Sequence, residues 1–118
     1  MAKRKPKKTL PEIKVALKRC ARRQRAVPLG YPENLGLRTK LGGKPDWIQG
    51  AEIPYCTQCE SSLTFIAQID SIEHESETNP LSIPAQGGKQ DYMFGDVGMI
   101  YVFFCFYCSN PYAVHQSY

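Results

Sequence analysis

The stretch Gly98-Met99-Ile100-Tyr101-Val102-Phe103-Phe104-Cys105-Phe106-Tyr107-Cys108 decides the fold. Met99 to Phe104 are all apolar or aromatic, with no polar residue in alternation. Such a run, too short for a buried helix and rich in β-formers, reads as a strand covered on both faces. It runs directly into a Cys-X-X-Cys pair. A second pair, Cys56-Thr57-Gln58-Cys59, lies upstream. Two residues between paired cysteines let the backbone turn so that both sulfurs face one point. Four thiolates in two such pairs match the tetrahedral demand of Zn²⁺. The expected ligands are Cys56, Cys59, Cys105 and Cys108. Four protein thiolates leave no coordination position for water, so the ion would be structural. Iron fits the same donor set, and the sequence does not choose between them.

Two other uses of paired cysteines fit less well. A thioredoxin-like redox pair wants a helix after the motif, whereas Ser109-Asn110-Pro111 follows one pair and a strand-like segment follows the other. Disulfides want an oxidising compartment. The N-terminus is charged, with no apolar stretch behind it, which reads as no secretory signal and a cytoplasmic location. No apolar run approaches the roughly 20 residues of a membrane helix.

Working outward, residues 62–70 alternate. Leu63, Phe65, Ala67 and Ile69 are expected on one face; Thr64, Ile66, Gln68 and Asp70 on the other. The first knuckle would open this strand and the second would close the strand at Met99–Phe104. If the two strands are neighbours, the knuckles meet. Residues 112–118 read as a last strand after a turn at Ser109–Pro111. Residues 71–90 are polar and read as a long loop. Residues 26–50 are rich in Pro and Gly and read as loop, with a turn at Gly42-Gly43 and Trp47, the single tryptophan, as its anchor.

The 118-residue chain has a net charge of +4 that hides an uneven division. Residues 1–50 carry a net +11 and residues 51–118 a net −7. Residues 1–8 form a basic tail. Residues 9–25 fit an amphipathic helix: Thr9 as N-cap, Glu12 in capping-box position, Pro11 in the first turn. Leu10, Ile13, Leu17, Cys20 and Gln24 would share a stripe, with Cys20 as a small apolar residue of it. Lys14, Lys18, Arg19, Arg22, Arg23 and Arg25 would crowd the remainder. Three uses are open for this basic face: solvation, recognition of nucleic acid or of an acidic partner, and cover for the chain's own acidic half. The expected acidic surface comprises Glu52, Glu60, Asp70, Glu73, Glu75, Glu77, Asp91 and Asp96.

Nothing points to catalysis. His74 lies in a polar loop and His115 in the last strand, neither with a nucleophile in a recognised arrangement. Gly87-Gly88-Lys89 is too short for a phosphate loop. The expected architecture is therefore α+β but mostly antiparallel β. It comprises a small zinc-ribbon-like domain over 26–118, preceded by the basic helix and tail.

Several segments in order resemble a known family. They are Leu41-Gly42-Gly43-Lys44-Pro45-Asp46-Trp47-Ile48-Gln49, Pro54-Tyr55-Cys56-Thr57-Gln58-Cys59 and Leu63-Thr64-Phe65-Ile66-Ala67-Gln68-Ile69-Asp70. Gly95-Asp96-Val97-Gly98, Ile100-Tyr101-Val102-Phe103 and the second cysteine pair follow. The order resembles the YwqG-like bacterial domain and the related N-terminal part of the programmed cell death protein two family. The cysteine pairs resemble the second family more. The resemblance spans roughly residues 35–118. It implies a mostly β domain that binds other proteins: a chaperone for a ribosomal protein in the eukaryotic relatives, toxin immunity in some bacterial ones. A basic protein client suits the acidic half of this chain. Nucleic-acid binding through the basic segment is the alternative, with Tyr31 or Trp47 stacking on bases.

Overall fold

The computed structural model describes residues 4–15, 17, 19, 38–71, 91–95 and 98–117. They build one antiparallel sheet of four strands in sequence order: β1 (Lys40–Leu41), β2 (Thr64–Asp70), β3 (Met99–Cys105) and β4 (Asn110–Gln116). The expected strand at Met99–Phe104 is β3. Its neighbours are the two strands joined to the knuckles, β2 on one side and β4 on the other.

One face of β3 makes the core. Met99, Tyr101, Phe103 and Cys105 are buried, while Ile100, Val102 and Phe104 are half-buried. The expectation of complete burial on both faces is thus corrected. Cys56 and Leu63 complete the buried cluster, with Trp47, Ile48, Phe65, Tyr112 and Val114 packed around it.

The alternation expected for residues 62–70 breaks once. Phe65 pairs with Phe103, yet Ala67 pairs with Val102, leaving Ile66 as the extra residue of a β-bulge. An extra residue reverses the facing of everything beyond it. Gln68 and Asp70 therefore enter the core side and are fully buried, while Ile69 is turned outward. Asp70 is no part of an acidic surface: its carboxylate meets Arg38 at 3.1 Å, with both side chains buried.

These buried polar groups hold the Trp47 segment on the sheet. Gln68 accepts from the Asp46 amide (2.9 Å) and donates to the Arg38 carbonyl (2.6 Å). The Tyr101 hydroxyl donates to the Asp46 carbonyl and accepts from the Ile48 amide. Gln116 accepts from the Ile48 and Gln49 amides and donates to the Gly50 carbonyl (2.7 Å). One side chain from each of β2, β3 and β4 thus satisfies the backbone of a segment with no ladder of its own. Trp47 lies between these clamps, 4.5 Å from the Tyr101 ring and 6.0 Å from Phe103. It is the anchor expected of it. Gly42 and Gly43, at φ +70° and +75°, make the expected turn after β1, which the loop reading of 26–50 did not contain.

The helix expected over residues 9–25 is corrected. No helix occurs among the described residues, so the α+β assignment gives way to an antiparallel sheet. Residues 9–15, 17 and 19 are non-helical, and residues 20–25 lie outside the described ones. Three physical reasons converge. Leu10 precedes Pro11 and is biased to extended backbone. Lys14/Lys18, Lys18/Arg22 and Arg19/Arg23 would set like charges one helical turn apart. Of the stripe's described residues Leu17 is 78% exposed and Leu10 also lies exposed, so that stripe lacks the docking that would fix a helix. Instead the Tyr92 hydroxyl donates to the Pro11 carbonyl, and Lys8 Nζ donates to the Asp91 carbonyl. Among the described residues no helix is long and apolar enough to cross a membrane.

Candidate metal centre

The two cysteine pairs converge at one end of the sheet. The sulfurs of Cys56, Cys59, Cys105 and Cys108 all lie within 4.8 Å of one another, and Cys59 and Cys105 are 3.6 Å apart. A tetrahedron with metal–sulfur bonds of about 2.3 Å has sulfur edges of about 3.8 Å. The donor set and its spacing fit such an ion. All four cysteines are free thiols. Cys56 and Cys105 are buried, Cys108 is half-buried and Cys59 exposed.

Both knuckles share one backbone solution. The Glu60 amide donates to the Cys56 carbonyl at 2.8 Å, and the Ser109 amide donates to the Cys105 carbonyl at 2.7 Å. In each, the residue after the second cysteine takes a left-handed conformation, with φ +60° at Glu60 and +58° at Ser109. The Cys56 amide then bonds to the Ser61 carbonyl beside the Tyr55–Ser62 bridge, while Cys105 pairs with Asn110. Each knuckle is therefore a tight turn that closes on its own strand and presents two sulfurs inward. The turn expected at Ser109–Pro111 is shorter than thought, because Asn110 and Pro111 already belong to β4.

Side chains lock one knuckle to the other. The Tyr112 hydroxyl donates to Cys56 Sγ (3.4 Å) and accepts from the Thr57 amide (2.9 Å). Asn110 donates to Gln58 Oε1 at 2.9 Å. Partners of this kind orient metal ligands and tune them. The Tyr112 bond, with the Cys59 backbone amide, lowers the Cys56 thiol to about 6. The Ser61 hydroxyl and amide lower Cys59. Cys108 moves the other way, up to about 12, because it keeps its proton for Cys59 and is removed from water. Four adjacent sulfurs cannot all ionise without a cation. Tyr112 was not foreseen as a partner of the cysteines: only the β3–β4 register, which sets it opposite Phe103, brings it to them.

None of the remaining candidates that the structure describes joins this cluster. Lys14 and Arg19 are exposed on the non-helical N-terminal segment, and Lys18, Arg22, Arg23 and Arg25 lie outside the described residues. Cys20, Tyr31, His74, Glu73, Glu75, Glu77 and Asp96 also lie outside them. His115 is exposed, and its Nε2 lies 2.8 Å from the Phe94 carbonyl. Gly98 is packed so closely that a Cβ there would strike that same carbonyl. His115 thus belongs to a structural contact at the far end of β4. Among the described residues the four cysteines are the one cluster of metal-binding side chains.

No protein-family model, curated protein or solved structure matches this chain.

Proposed function

We propose that this protein is a non-enzymatic, zinc-stabilised module that binds another protein. The observation that carries the reading is the four-sulfur cage itself. Its donors saturate a tetrahedral ion and leave no place for a substrate or a reactive water. The buried polar side chains are engaged in scaffolding too: Gln68, Tyr101 and Gln116 hold the Trp47 segment, and Arg38 meets Asp70. Zinc is the expected ion, since thiolate cages closed by two knuckles are its common structural setting.

The client is a basic protein. Glu52, Glu60 and Asp91 are exposed, on the half of the chain that carries net −7. The resemblance to the YwqG-like and programmed cell death protein two families supports a protein-binding role, through chaperoning or toxin neutralisation. Trp47 and Gln68, which lie in the resembling motifs, have clear work in building such a domain.

The test is purification under reducing conditions, elemental analysis and native capture of partners. One zinc per chain and a basic partner released by Glu52→Lys/Glu60→Lys support the reading; absence of any transition metal overturns it. Visible thiolate-to-iron absorbance would replace zinc by iron. A second reading has one observation in its favour: Arg4, Lys5, Lys7, Lys8, Lys14 and Arg19 are all exposed. Nucleic-acid binding through this segment would show as affinity whose salt slope shrinks when those residues are neutralised.

A further inference from the structure

The metal end exposes more aromatic surface than a staple requires. Phe106 and Tyr107, the two residues between Cys105 and Cys108, are 66% and 84% exposed. The equivalent positions of the other knuckle hold Thr57 and Gln58, polar residues bonded to Tyr112 and Asn110. Both knuckles have the same backbone bonds, so the turn itself does not call for aromatics. Phe106 packs edge-to-face on Phe104, ring centroids 4.9 Å apart, which extends the apolar surface onto the sheet face away from the core. Tyr55, next to Cys56, is 66% exposed. Large rings on a turn pinned by two ligands have little freedom left to lose on binding, the property that makes aromatic anchors effective.

Charge selects the partner. Residues 45–71 and 90–118, which among the described residues supply the metal end, contain no lysine or arginine. Stacked bases would arrive with phosphates that no described residue of the two knuckles or of β2–β4 neutralises. Glu52 and Glu60 are exposed on the first knuckle and its approach. Guanidinium groups both pair with carboxylates and stack on aromatic faces. We propose that the Phe106-Tyr107 knuckle, with Glu60 beside the cage, is the docking surface for a polypeptide segment that interleaves arginine or lysine with apolar side chains. This rests on the interaction-module reading and gives that module its contact surface.

The experiment uses the full, metal-loaded chain and a fluorescein-labelled peptide of alternating Arg and Leu, about a dozen residues long, at about 0.15 M salt. Arg/Ser and Glu/Leu peptides of equal length are the comparisons. The Arg/Leu peptide should bind at least about tenfold tighter than either. Phe106→Ser/Tyr107→Ser and, separately, Glu60→Lys should each weaken it about tenfold while metal content stays at one per chain. Equal affinity for the Arg/Leu and Arg/Ser peptides overturns the proposal. So does unchanged binding by the metal-replete Phe106→Ser/Tyr107→Ser variant, which would leave the module reading standing with its surface elsewhere. Single-stranded RNA binding, or self-association of the chain, abolished by the same double variant also overturns it. Loss of metal stoichiometry in the wild-type chain would instead strike the module reading itself.

Discussion

Two residues in the knuckles carry backbone strain that their chemistry does not repay. Glu60 and Ser109 adopt φ +60° and +58°, a region that costs an L-residue roughly 1–2 kcal/mol. Glycine removes that cost but loses roughly 0.5–1 kcal/mol of backbone entropy on folding. Ser109→Gly should therefore stabilise the metal-loaded protein by about 0.5–1 kcal/mol, and Ser109→Val should destabilise it, both measured by denaturant unfolding. Tyr112 gives a second test. Tyr112→Phe keeps the ring against Phe103 but removes the hydroxyl that bonds Cys56 and Thr57. Metal affinity should fall about 10–100-fold in a chelator competition, with the sheet intact by circular dichroism. The thiols themselves fix the sign of the pH dependence. Cys108 holds its proton up to about 12, so loading near neutral pH must displace that proton. Affinity should then rise at least about tenfold per pH unit between about 7 and 9. Below about 6, Cys56 also takes up a proton, and the dependence should steepen.

At the level of elements, the strands are held by features of unequal visibility in the sequence. The strand at β3 and the two cysteine pairs were legible because unbroken apolarity and fixed spacing are local signals. Trp47 as anchor was legible too, since a lone large aromatic in a Pro/Gly-rich stretch must find cover. The bulge at Ile66 was not, because Phe65-Ile66-Ala67 contains no Gly or Pro to mark it; only the register against β3 reveals it. The helix expectation failed for a different reason: cap and stripe patterns are local, but helices are decided by docking, and Pro11 and Lys8 are engaged by residues 91–92 instead. The consequence of the bulge is testable. It places Gln68 in the core, where its amide satisfies backbone groups of Arg38 and Asp46. Gln68→Leu should strand those groups and cost about 2–4 kcal/mol, with the single tryptophan's emission shifting red as Trp47 leaves Tyr101. An unshifted spectrum would mean that the Tyr101 and Gln116 clamps, with ring stacking, hold the segment without Gln68.

For the molecule as a whole, the question is whether the sheet survives without the ion proposed for its cage. The buried apolar cluster occupies one face and comprises few side chains: Cys56, Leu63, Met99, Tyr101, Phe103 and Cys105. Two of these, Cys56 and Cys105, belong to the four-sulfur cluster, so the core and the cage are one structure. Small domains hold a net stability of about 5–15 kcal/mol, and structural zinc supplies about 10–16 kcal/mol in cognate peptides. Removing the ion takes away a term as large as the whole margin. It also leaves four thiols packed within 4.8 Å, of which Cys56 and Cys59 ionise readily. Chelation should therefore unfold β2, β3 and β4 together rather than loosen one end. Trp47 offers the readout, because its ring packs on Tyr101 and Phe103 in the middle of β3. Loss of near-ultraviolet dichroism in step with metal release, and recovery on adding zinc, is the expected result. Retention of that signal after full metal removal would show that the Gln68, Tyr101 and Gln116 clamps suffice, and that the cage serves only the knuckles.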